Sequence, residues 1–190
     1  MAEDRKLNRS IFPPGFSSSE APRKLPAEFS RFPPPLRTIL VADGTVTKLL
    51  EAHFWQPIRV TVITQEVVTG DFFGLGSEEI LVREASIGPS VGAPYAHAYS
   101  RISLGTLPPD LRSRLVDRTI GIGALLRERR LETYRELVSV VGRTADDSAS
   151  ALGIQPDDPI AERVYRICRE GRPFIEIREL FPVQVYGQTS

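Results

Sequence analysis

The apolar and polar positions of the chain change period several times. Leu36, Ile39 and Leu40 recur at helical spacing, and so do Val46, Leu49 and Leu50 after the break Asp43-Gly44-Thr45. Two short helices are therefore predicted, the second capped by Asp43 or Thr45, whose oxygens can accept its free N–H groups. From Ile58 the period falls to two: Ile58, Val60 and Val62 alternate with Arg59 and Thr61, which marks a strand. The glycine-rich stretch 71–77 reads as a loop, 79–87 as a second strand, 88–94 as a turn and 95–102 as a third strand. Short helices are expected at 108–116 and 122–129, a strand at 133–140, and one helical turn at 147–152 closed by Gly153. Strands at 164–168 and 174–181 flank Glu170-Gly171-Arg172-Pro173 as a hairpin. Strands outnumber helices and neighbours can pair antiparallel. The fold class is α+β, an antiparallel β-sheet flanked by helices rather than a βαβ alternation.

Residues 1–34 do not share this patterning. They hold six of the 16 prolines and the run Ser17-Ser18-Ser19. Proline removes backbone donors and blocks regular helix, so this segment reads as an arm and 35–190 as the one domain. Phe12, Phe16, Phe29 and Phe32 are too apolar for a solvated tail. Part of the arm is expected against the domain or a partner subunit, which offers a route to a homo-oligomer.

Charge narrows the partners. The 24 basic and 24 acidic side chains balance, whereas nucleic acid or an anionic membrane normally demands a basic excess. The cluster Arg127, Arg129 and Arg130 reads as a solvated helix end. A single cysteine, Cys168, and two histidines, His53 and His97, give no disulfide framework and no zinc pattern. No acidic cluster suggests magnesium, so neither metal nor cofactor is expected. No apolar run follows the N-terminal Met-Ala-Glu-Asp-Arg-Lys, and the longest purely apolar stretch, 39–42, is far too short to span a bilayer. A cytoplasmic protein is expected.

Two charges sit in the wrong place. Alternation in the second strand puts Arg83 on one face with Leu81, Ala85 and Ile87, and in the last strand it puts Glu179 with Ile175, Ile177 and Phe181. An unpaired buried charge costs several kcal/mol, on the order of 3–5. Strand parity leaves two readings open. Either Arg83 and Glu179 are structural ions, paired with each other or with backbone, or Arg83 awaits an anionic ligand and Glu179 a ligand hydroxyl or proton. An acid in a greasy setting is one that can exchange a proton near neutrality. His97, between Tyr95 and Tyr99, reads as a hydrogen-bonded structural histidine, and Trp55, beside Gln56-Pro57, as packing at a helix end.

Four segments decide between these readings. They are Ala42-Asp43-Gly44-Thr45-Val46-Thr47-Lys48, Leu81-Val82-Arg83-Glu84, Thr119-Ile120-Gly121-Ile122-Gly123, and Gly171-Arg172-Pro173 running on to Arg178-Glu179-Leu180-Phe181. In this order and spacing the chain resembles the chorismate lyase family, in its bacterial branch outside the enterobacterial ubiquinone enzyme, over about residues 35–186. The resemblance implies an antiparallel sheet backed by helices, with product enclosed under two helical flaps. It makes Arg83 the arginine that holds a ring carboxylate, Ile122, beside Gly123, the residue whose backbone N–H meets the same group, and Glu179 the acid near the 4-hydroxyl. Val46 falls at a flap position that is methionine in some members. The hairpin before Glu179 is one residue longer than in the enterobacterial enzyme and suits the other branch.

The implied reaction converts chorismate into 4-hydroxybenzoate, a quinone precursor, and pyruvate. It needs no cofactor, since loss of the C3 ether and the C4 proton makes the ring aromatic. The catalytic groups are expected to be Arg83 and Glu179, with Val46, Ile122 and Gly123 completing the substrate site. Lys48 and Arg172 are candidates for the second carboxylate. A related chorismate derivative is an alternative substrate. The tail 149–182 also resembles effector-binding domains of bacterial transcription regulators, which share this fold; in that reading the protein senses a small molecule and catalyses nothing. No helix-turn-helix pattern precedes the domain here, which favours the enzyme.

Overall fold

The computed structural model describes residues 29–74, 76–118, 121–128 and 132–187. Phe12 and Phe16 of the arm, the pair Thr119-Ile120, and Arg129 and Arg130 lie outside the described residues. The remainder builds a six-stranded sheet: β1 Arg59–Asp71, β2 Ser77–Gly88, β3 Ala96–Ser103, β4 Tyr134–Thr144, β5 Pro159–Arg169 and β6 Arg172–Pro182. The spatial order is β1-β2-β3-β6-β5-β4. Every neighbouring pair is antiparallel.

Five helices accompany the sheet: α1 Pro34–Val41, α2 Val46–Phe54, α3 Pro109–Val116, α4 Ile122–Glu128 and the short α5 Val183–Tyr186. Prolines open α1 and α3, where the missing N–H has no intrahelical acceptor to lose. The β5–β6 hairpin turns on Glu170 and Gly171, both left-handed at φ 52° and 77°. That backbone twist matches paired strands. Gly88 ends β2 where a Cβ would come 2.7 Å from Pro94 Cα, so only glycine lets the chain fold back tightly into β3.

One sheet face is covered and the other largely open. Leu36, Ile39 and Leu40 of α1, Leu50 of α2 and Tyr186 of α5 pack with Phe29 and Phe32 onto Ile87, Ala96, Ala161 and Phe181 at one end of the inner face. Leu111 and Leu115 of α3 and Leu125 and Leu126 of α4 pack onto Leu81, Ile102, Ile167 and Ile175 at the other end. Each fully buried Leu or Ile of this kind contributes about 1.5–3 kcal/mol. The two clusters lie along one face, and the functional cavity opens between them.

Three expectations need correction. Thr45 does occupy the cap position of α2, but neither it nor Asp43 makes a side-chain cap bond to the helix. Thr45 Oγ1 instead accepts from Arg127 at 3.5 Å. Trp55 takes the left-handed C-cap of α2 and stands 90% exposed, so it packs against nothing. The last hairpin begins at Pro159, five residues before the predicted strand, and this extension carries a residue central to the site.

Candidate active site

The inner face is read across the strands from the register. Arg83 on β2 pairs with Ser100 on β3, which pairs with Ile177 on β6 and so with Tyr165 on β5. One pleat along, Ala85 pairs with Ala98, Ala98 with Glu179, and Glu179 with Arg163. The face is therefore apolar except for a cation on β2 and an acid and a cation side by side on β6 and β5. Above it stands a cavity of about 330 Å³, roofed by the first turns of α2 and α4. Val46, Arg83, Ile122, Gly123 and Glu179 all line it. Gly123 allows the roof to close, since a Cβ there would meet Thr45 Cγ2 at 3.1 Å.

Arg83 is 3% exposed. Its Nε donates to Gln65 Oε1 and its Nη2 to the Leu115 carbonyl, both at 2.7 Å. Gln65 is itself fixed, donating to the Val116 carbonyl at 2.7 Å. These partners are neutral, and among the described residues no carboxylate is among them. The carbonyls at the C-terminus of α3 offer only partial negative charge. Burial, reinforced by the like charge of Arg118, pushes the Arg83 guanidinium down to about 10.

Glu179 is equally buried but differently served. Arg163 donates to its Oε2 through Nε at 3.0 Å and Nη2 at 2.5 Å, and the Tyr165 hydroxyl donates to Oε1 at 3.1 Å. Arg163 also donates to the Ile39 carbonyl at 2.6 Å and the Ala42 carbonyl at 3.4 Å, tying α1 to the sheet. Its guanidinium lies 4.8 Å over the Tyr165 ring. Burial opposes the Arg163 charge, but the Glu179 carboxylate more than offsets this and holds the guanidinium above its ordinary value. Burial, with the Glu179 charge, raises the Tyr165 phenol, so it remains a donor.

The expected pairing of Arg83 with Glu179 is thus replaced. They stand on strands two apart, roughly 10 Å across the sheet at the usual strand spacing, and Glu179 pairs with Arg163 instead. Nor is Glu179 in purely apolar surroundings, because three donors converge on it. Arg163 escaped the sequence reading because the strand was started at Val164. The signal existed: Arg163 shares parity with Ala161, Tyr165 and Ile167, as Arg83 does with its own apolar neighbours.

Of the candidates for a second cation, Lys48 lines the cavity but pairs with Glu51 at 2.7 Å and is largely exposed. Arg172 borders a separate hollow at the hairpin end, with Thr106, Leu107 and Arg169. Arg135 and Arg127, unassigned from sequence, line the cavity. His97 lies on the opposite face, fully buried, with Nε2 3.0 Å from Glu84 Oε1. Among the described residues, His, Cys, Asp and Glu form no group of three or more suited to a metal ion, and no helix is long and apolar enough to cross a membrane.

Comparison with known proteins agrees with this architecture. A Methanocaldococcus jannaschii protein, MJ0807, named provisionally as a lyase, is 28% identical over 148 residues, 78% of each chain. The effector domain of PhnF from Mycobacterium smegmatis superposes with a TM-score of 0.59 at 15% identity, covering 76% of this chain and 91% of that one. A GntR-family transcriptional regulator from Bacillus cereus gives 0.54 at 11% identity, covering 70% and 96%. At such identities the structural likenesses speak for the fold alone. A family model matches residues 40–187, from α1 through α5, and the chain belongs to the chorismate pyruvate-lyase Rv2949c-like family.

Proposed function

We propose that the protein is a chorismate lyase that releases pyruvate and leaves 4-hydroxybenzoate. Family membership supports the reaction class. One observation carries the site: a buried guanidinium, Arg83, without a carboxylate partner, set in the wall of a small apolar cavity. A volume of about 330 Å³ falls at the small end of the roughly 300–1,000 Å³ of small-molecule sites. It suits a single ring with short substituents.

In this reading Arg83 binds the ring carboxylate, joined by the Ile122 backbone N–H at the start of α4. Glu179 receives the C4 hydroxyl. A carboxylate has about four acceptor positions; Arg163 and Tyr165 use three, and Oε1 keeps room for one more donor. Arg163 and Tyr165 hold that oxygen in place before the substrate arrives, so no reorganisation is needed during reaction. Val46, Gly123 and the roof helices exclude water. The C4 hydrogen leaves as a proton, and its bonding pair completes the aromatic ring. The C3–O pair departs with enolpyruvate, which takes up a proton and becomes pyruvate. The step is redox-neutral, and aromatisation supplies its driving force.

The test is to mix protein with chorismate, follow pyruvate and identify the aromatic product. Equimolar pyruvate and 4-hydroxybenzoate are expected. Tight chorismate binding without pyruvate would favour the alternative of an effector-binding domain, which the regulator-like fold keeps in view. A different aromatic product would mean a different chorismate derivative or isomer. No binding at all would sink both readings.

A further inference from the structure

A second buried cation borders the same cavity and lacks a full set of partners. Arg135 reaches the cavity from β4, where it pairs in register with Ile167. Its Nη1 donates to the Asp43 carbonyl in the loop before α2, and its guanidinium lies 5.9 Å over the Tyr165 ring. Its Nε is buried with no hydrogen-bond partner. An unmade buried hydrogen bond costs about 1–3 kcal/mol, and more where the group is charged. Buried polar groups are paired in the great majority of cases, so an orphan in a cavity wall points to a ligand atom.

Position says which atom. Arg83 stands on β2 and Arg135 on β4, with β3, β6 and β5 between them and Glu179 on the middle strand. The two guanidinium groups flank the acid from opposite sides. The other cations at the cavity are less suited: Lys48 is paired and exposed, and Arg127 lies on the exposed side of α4, donating to Thr45. We propose that Arg135 binds a second carboxylate of the ligand, making the site selective for aromatic and pre-aromatic dicarboxylates. Resting on the lyase reading, that group is the carboxylate of the enolpyruvyl substituent. Arg135 then holds the leaving group as the C3–O pair passes to it. It has no partner in 4-hydroxybenzoate, which carries a single carboxylate.

The experiment compares wild type, R135Q and R135K in the full chain. Two stable ligands are titrated by calorimetry: 4-hydroxybenzoate, and 3-(carboxymethoxy)-4-hydroxybenzoate, which adds the second carboxylate. Chorismate turnover is measured alongside. In R135Q the dicarboxylate affinity is expected to fall at least tenfold and the KM for chorismate to rise at least tenfold. Affinity for 4-hydroxybenzoate should stay within twofold, which also reports a folded site. R135K, which keeps the charge, should retain most of the selectivity. Equal changes for the two ligands in both variants, or no change in either, would overturn the role of Arg135 even if wild type is an efficient lyase. Arg135-dependent selectivity in a wild type that releases no pyruvate would uphold the second-carboxylate site and remove the lyase reading.

Discussion

Arg83 and Arg163 are both buried arginines on the inner face of one sheet, yet their surroundings differ in kind. Arg163 faces the Glu179 carboxylate, which holds its charge above the ordinary value. Arg83 has only an amide oxygen and a carbonyl, and burial pushes it down to about 10. A buried ion pair completed within the protein is a positioning device. A buried cation satisfied only by neutral dipoles is a site for an anion brought from outside.

Cutting each arginine at the same atom exposes the contrast. Arg163→Met strands the Glu179 charge and is expected to cost about 3–5 kcal/mol of stability. At about 2–4 °C per kcal/mol this lowers Tm by roughly 6–20 °C in a thermal melt. The double variant Arg163→Met, Glu179→Leu should recover most of that loss, because an apolar pair of similar volume replaces a complete ion pair. A single variant as stable as wild type would mean that the pair positions nothing.

Arg83→Met should do the reverse. The affinity for 4-hydroxybenzoate, read by calorimetry, should fall about 100-fold, or about 2.8 kcal/mol, while the melting temperature stays close to wild type. A large loss of stability with binding intact would exchange the roles assigned to the two arginines. Glu179→Gln keeps the shape of the acid and removes its charge. It should lower kcat by about tenfold, some 1.4 kcal/mol, with a smaller change in product affinity. Equal losses in kcat and affinity would place Glu179 in ground-state binding alone.

The smallest effect is a control on the other face. Burial lowers the His97 pKa, opposed in part by the Glu84 charge and hydrogen bond. The unfolded imidazole, at about 6.5, takes up its proton first as the pH falls. Proton uptake therefore favours unfolding: the contribution is intact above pH 6.5 and is lost as pH falls through the folded value. Urea midpoints should decline from pH 7 to pH 5, less steeply in His97→Gln. The same decline with saturating 4-hydroxybenzoate would confirm that this face is independent of the cavity.

Legibility in the sequence followed the clarity of local pattern. Arg83 and Glu179 stood out because each interrupts an apolar strand face, and the structure buries both faces as read. Arg163 carries the same mark, but the polar start Asp157-Asp158-Pro159 concealed how far β5 extends. Arg135 had no mark, since Tyr134-Arg135-Glu136 is polar on both faces of an edge strand. β1 was read as a short strand yet runs to Asp71, because an exposed edge strand imposes little alternation. Helix α5 is a single turn, below what periodicity can reveal.

The order of amino acids alone determined which side chains share a strand face, because a pleated backbone alternates its side chains whatever lies beside it. It therefore established that charge would be buried. Which charges meet was decided only by the order of the strands. β6 enters between β3 and β5, setting Glu179 beside Arg163 and leaving Arg83 two strands away, partnered by neutral dipoles. Hydrogen bonds between strands can join segments at any separation along the chain, so no local pattern could encode that choice.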